Sequence, residues 1–61
     1  MTYLKAKNLH NGDEVIQKQY GHVLTVLNTY EWKPIGKPPL IIVECVTESN
    51  SYFKLNHKEI K

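Results

Sequence analysis

This sequence predicts an all-β domain, a small five-stranded barrel with one short helical turn near its C-terminal end. Three observations carry that prediction. Asn11-Gly12-Asp13 is dense turn chemistry, because Asn and Asp bond their own backbone and Gly accepts positive φ. Two runs, Val23-Leu24-Thr25-Val26-Leu27 and Leu40-Ile41-Ile42-Val43-Glu44-Cys45-Val46, are rich in β-branched residues with neither Gly nor Pro inside them. All three prolines fall together, between those runs.

The elements follow in chain order. Residues 1–8 have no clean hydrophobic period and are expected to form a lead-in strand or turn anchored by Leu4 and Leu9. A first strand is expected from about Asp13 to Gln19, ending at the break Tyr20-Gly21-His22. The second strand covers Val23 to Leu27 and has the composition to run on through Thr29 and Tyr30 to Trp32. Lys33 to Pro39 is a loop, since proline cannot donate to a central ladder. Leu40 to Glu48 is the expected centre of the sheet, followed by a turn over Glu48-Ser49-Asn50-Ser51 and an antiparallel return through Tyr52-Phe53-Lys54-Leu55. Asn56-His57-Lys58 is placed as a helical or 3₁₀ turn, and Glu59-Ile60-Lys61 as a final edge strand.

Leu9-His10-Asn11-Gly12-Asp13-Glu14-Val15 resembles the L-x-x-G-D-x-V opening of Src-homology-3-like small barrels, including KOW-type domains. Gly21-His22-Val23-Leu24-Thr25-Val26 is similar to their G-x-V-x-x-V second strand, and Phe53-Lys54-Leu55 with Glu59-Ile60 to their closing turn and strand. The resemblance implies a fold rather than a function, because such barrels host many unrelated roles. This chain lacks the arginine and the glycine-rich basic loop of a nucleic-acid-binding KOW segment. It also lacks the acidic and aromatic groove of a proline-rich-peptide binder.

At 61 residues the chain is expected to be one domain, residues 1–61. A domain of this size buries only about 60 % of the surface its unfolded form exposes, so small domains commonly lean on a disulfide, a metal or a partner. Cys45 is the single cysteine and permits no internal disulfide; within its apolar strand it is expected to be a buried core residue rather than a reactive thiol. The first eight residues have no leader-like apolar stretch, and no apolar run approaches the roughly 20 residues that span a bilayer. With the unpaired thiol, this leads to the expectation of a cytoplasmic protein without a membrane partner. A net charge of +2, from eight lysines against six acids, is mild. The absence of arginine removes the side chain best suited to bidentate recognition of guanine or phosphate. All-lysine usage beside many Asn, Ile and Tyr fits an AT-rich genome such as that of a low-GC bacterium or its phage, and with it an accessory role in a phage or mobile element.

No catalytic constellation is legible, and the chain is expected to be no enzyme and to need no cofactor. His10, His22 and His57 match no metal-ligand spacing and are expected at the surface near turns. Asp13 and Glu14 are adjacent, so on a strand they point to opposite faces and cannot pair as an acid and a base.

Binding is the remaining class. Tyr30 and Trp32, with Lys33 and Lys37, form an aromatic and basic cluster beside the proline loop. Trp32 there is either an interface anchor or a lid over one end of the core. Strand alternation assigns Leu24, Val26, Ile41, Val43 and Cys45 to the core, which leaves Val23, Leu27, Leu40, Ile42 and Val46 on an outer face too apolar for water alone. Strand curvature that buries both faces is the other way to account for it. The leading expectation is a protein-interaction module whose partner is another protein or a second copy of itself, a homo-oligomer. The alternative is nucleic-acid binding through Lys18, Lys33, Lys37 and Lys54, with Trp32 or Tyr30 stacking on bases.

Overall fold

A computed structural model describes all 61 residues and shows four antiparallel strands in one open sheet. Strand β1 is Glu14–Ile16, β2 Val23–Trp32, β3 Leu40–Val46 and β4 Tyr52–Asn56, ordered β1-β2-β3-β4. A short helix α1, Tyr3–Lys7, precedes them, and a 3₁₀ turn, His57–Glu59, follows. The all-β class therefore holds, whereas the expected five strands and closed barrel are replaced by this four-stranded sheet.

The physical reason lies at the chain's end. The 3₁₀ turn takes up His57–Glu59, leaving only Ile60 to pair, opposite Gln17. Lys18 N–H donates to the Glu59 carbonyl at 2.9 Å and Lys61 N–H to that of Ile16 at 2.9 Å, so the end of the chain is laced to β1 by a bridge rather than a strand. A capping box holds the turn: Asn56 accepts from Lys58 N–H at 2.9 Å, and the Glu59 carboxylate accepts from Asn56 N–H at 3.0 Å.

The N-terminal expectation is also corrected. Thr2 caps α1, its hydroxyl accepting from Lys5 N–H at 3.3 Å, and one turn of helix buries Ala6 completely against the sheet. Leu4 is not an anchor: it stands 69 % exposed, because on this helix Ala6 takes the inward position. The expected first strand shortens to three residues plus the Gln17 bridge, since Gly21 turns the chain at φ +70°, and β3 stops at Val46, where Thr47 opens the turn.

The turn that opens β1 forms as its residues dictate. Asp13 N–H donates to the His10 carbonyl at 3.0 Å, the Asp13 carboxylate accepts from His10 N–H at 2.8 Å, and Gly12 takes φ +98°. Gly12 N–H and Val26 N–H then pair across to the Val26 and Asp13 carbonyls, both at 2.8 Å, and so set the register of β1 on β2.

The core is the inner face of the sheet. Leu24, Val26, Val43, Cys45 and Ile60 are fully buried, with Ile41, Val15 and Ala6 beside them. Burying a Val, Leu or Ile side chain stabilises a fold by about 1.5–3 kcal/mol, so these positions carry most of the driving force. Cys45 lies among them, its Sγ 3.7 Å from the Phe53 carbonyl, and burial pushes its thiol pKa up.

Candidate interaction face

The outer face is set by register and by one irregularity. Residues directly opposite in an antiparallel pair share a face. Leu40, Ile42, Glu44 and Val46 alternate with the buried residues of β3 and so point outward; their β2 partners are Trp32, Tyr30, Asn28 and Thr25. Strict alternation along β2 from the buried Leu24 and Val26 would turn Asn28, Tyr30 and Trp32 inward. A bulge at Leu27, between Val26 and Asn28, adds the extra residue that turns them outward instead. From β4, Tyr52, Lys54 and Asn56 join the same face opposite Val46, Glu44 and Ile42.

The result is an aromatic surface over an aliphatic floor. Tyr30 is 41 %, Trp32 53 % and Tyr52 55 % exposed, while Leu40, Ile42 and Val46 are half-buried beneath and between them. Trp32 is thus a surface residue and not a lid on the core. Of the two accounts of the apolar face, curvature explains the half-burial of the β3 residues but not the openness of the β2 aromatics. Val23 and Leu27 lie on the near side of the bulge, both exposed, with Ile16 beside Val23 across the ladder. Lys37 shares with Trp32, Pro34, Leu40 and Lys58 the lining of an open cleft of ≈ 360 Å³, and Lys33 sits 3.4 Å from the Glu31 carboxylate.

Glu44 stands in the middle of this face opposite Lys54, and its carboxylate is already satisfied. The Tyr52 hydroxyl donates to Glu44 Oε2 at 2.7 Å, and Asn28 Nδ2 donates to Glu44 Oε1 at 3.3 Å. The Tyr52 bond first, then that of Asn28, holds the Glu44 carboxyl below its ordinary range; the same bond pushes the Tyr52 phenol up to about 12. A carboxylate held by two donors meets a covering surface at lower cost than a bare one.

The histidines do not behave alike. His10 and His22 are exposed as expected, but His57 is 7 % exposed, its Nδ1 accepting the Ile41 N–H at 3.2 Å and its ring edge-on to Tyr3 at 5.9 Å. The capping box that starts the 3₁₀ turn at Asn56 aims His57 inward, and the Asn56-x-x-Glu59 spacing is the sequence signal that announces it. No group of three or more His, Cys, Asp or Glu side chains gathers at metal-binding distance, and no helix is long and apolar enough to cross a membrane.

Comparison with protein-family models, curated proteins and solved structures finds no match to this chain.

Proposed function

We propose that the chain is a non-enzymatic protein-interaction module that binds through the outer face of its sheet, with Trp32 and Tyr30 as anchors and Lys33 and Lys37 at their rim. One observation carries this reading: three large aromatic side chains, Tyr30, Trp32 and Tyr52, stand open on one strand face above half-buried Leu40, Ile42 and Val46. Rigid aromatic side chains lose little conformational freedom on binding and dominate the energetics of protein interfaces. The bulge at Leu27, which breaks the regular ladder, is what brings two of the three to this face.

Nucleic-acid binding is the weaker reading on the same residues. Of its four lysines, Lys33 is engaged by Glu31, Lys54 stands opposite Glu44 on the ladder, and Lys18 lines a different cleft beside Lys58 and Glu59. A surface that tracks phosphates needs uncompensated positive charge.

We also read this open sheet as related to the SH3-like small barrels, short of closure. The support is the meander order β1-β2-β3-β4, the 3₁₀ turn before the last residues, and the Gln17–Ile60 bridge that returns the chain to β1. A cytoplasmic setting goes with this reading, since Cys45 is buried and unpaired.

The test places a photo-crosslinking phenylalanine at position 30, with position 4 as control. Leu4 is 69 % exposed on α1, which packs by Ala6 on the core, the other side of the sheet from the aromatic face. The expected result is protein adducts from position 30 and none from position 4 in cell extract. Adducts to nucleic acid from position 30, or equal labelling from positions 30 and 4, would overturn the proposal.

A further inference from the structure

The outer face has a polarity that identifies what covers it. Along β3 the face runs from Leu40 to Val46, with Glu48 just beyond one end and Lys37 and Lys58 around Trp32 and Leu40 at the other. Glu48 lines a shallow cleft with His22, Val23 and Thr47; Lys37 and Lys58 line the cleft at Trp32. At about 3.3 Å per residue β3 alone holds the two ends roughly 20 Å apart, so each keeps its own sign. The middle row, Tyr30 opposite Ile42 opposite Asn56, carries no charge.

A surface acidic at one end and basic at the other, with a middle neutral in sum because Glu44 stands opposite Lys54, is complementary to itself when turned through two-fold rotation. We infer that the partner of this face is a second copy of the chain, packed face to face about a two-fold axis through the Tyr30–Ile42 row, with Glu48 of each copy against Lys37 of the other. The inference rests on the protein-interaction reading above and deepens it by naming the partner.

The register supports the same arrangement. About an axis at Ile42, position 44 of one copy comes over position 40 of the other, and the turn that carries Glu48 comes toward the loop that carries Lys37. Trp32, paired with Leu40, then covers the Asn28–Glu44–Lys54 row of the facing copy, where Glu44 is already held by Tyr52 and Asn28. The two Glu44 carboxylates are thereby kept off the axis, so neither opposes its own image. Each Glu48 meets the lysine cleft, giving two equivalent charged contacts at the rim, where such contacts govern orientation and encounter more than affinity.

Sedimentation of the full chain over a concentration series tests this, using Lys37→Glu, Glu48→Lys and the double variant. Both positions are exposed surface, so folding is checked by circular dichroism and is expected to be unchanged. The wild-type chain should sediment as a monomer–dimer equilibrium. Each single variant should weaken the dimer roughly tenfold, because two like-charge contacts replace two attractive ones. The double variant should regain most of that loss, and the two single variants mixed together should associate more tightly than either alone. A chain that stays monomeric at high micromolar concentration, or variants without rescue in the double and the mixture, would overturn the inference. Crosslinking from position 30 to some other protein would still uphold the interaction reading in that event, so the two failures are distinguishable.

Discussion

His57 Nδ1 accepts the backbone N–H of Ile41 at 3.2 Å, joining the 3₁₀ turn to the start of β3 inside the fold. A ring nitrogen accepts only while it is unprotonated, so this bond requires the neutral imidazole. Burial first, then Lys58 and the N-terminal ammonium, lowers the His57 pKa; the Met1 amine lies close by, donating to the Ile60 carbonyl.

The folded state therefore resists a proton that the unfolded chain accepts near pH 6.5. Stability should be fully present above that value and fall as pH drops through it toward the lower pKa of the folded imidazole. Thermal or urea unfolding at pH 7.5 and pH 5 should show the decline in the wild-type chain and a flatter profile in His57→Gln. His57→Ala, which orphans the Ile41 N–H, should cost about 1–3 kcal/mol at neutral pH. Equal pH profiles for wild type and His57→Gln would remove His57 from this role.

Tyr52 should titrate late, at about 12, because the neighbouring carboxylate opposes loss of its proton. Ultraviolet titration should resolve this phenol in the wild-type chain and lose the late phase in Glu44→Gln. Conversely, Tyr52→Phe should raise the Glu44 carboxyl pKa, read by carbon NMR. An unmoved Glu44 would mean that the hydroxyl bond does not persist in solution.

Cys45 should be inert in the folded state. Its side chain has no exposed surface and its pKa is raised by burial, so both access and thiolate are scarce. Alkylation followed by mass spectrometry should be slow natively and rapid in denaturant; fast native labelling would contradict the packing of β3 on β4.

Gly12→Ala should destabilise the fold by about 1–2 kcal/mol, although open space surrounds the site. The cost is conformational: at φ +98° the added Cβ strains the backbone that hands β1 to Val26. A neutral substitution would show that the turn tolerates another geometry.

Much of the architecture was legible from local chemistry. The β-branched runs placed β2 and β3, the three prolines placed the long loop, and alternation sorted Ile41, Val43 and Cys45 inward. What escaped depended on longer-range partners. Helix α1 is only five residues long and owes its place to Ala6 docking on the sheet, which no period in residues 1–8 announces. The bulge at Leu27 depends on how β3 lies against β2, so the outward turn of Tyr30 and Trp32 could not be derived from alternation, which argues the opposite. Burial of His57 follows from a capping box recognisable as Asn56-x-x-Glu59, a signal within reach of the sequence. The closing strand shrank to one bridge because the turn runs on to Glu59, one residue beyond its expected end at Lys58.

The most direct test of the binding face uses the chain's single tryptophan as its own probe. Acrylamide quenching of Trp32 fluorescence, followed over a dilution series, should show an accessible indole in the dilute monomer, as its 53 % exposure requires, and progressive protection with a blue-shifted emission as the face becomes covered. A Trp32 protected at every dilution would return it to the core. One that remained freely quenched in the assembled state would show that the aromatic face is not where this protein binds.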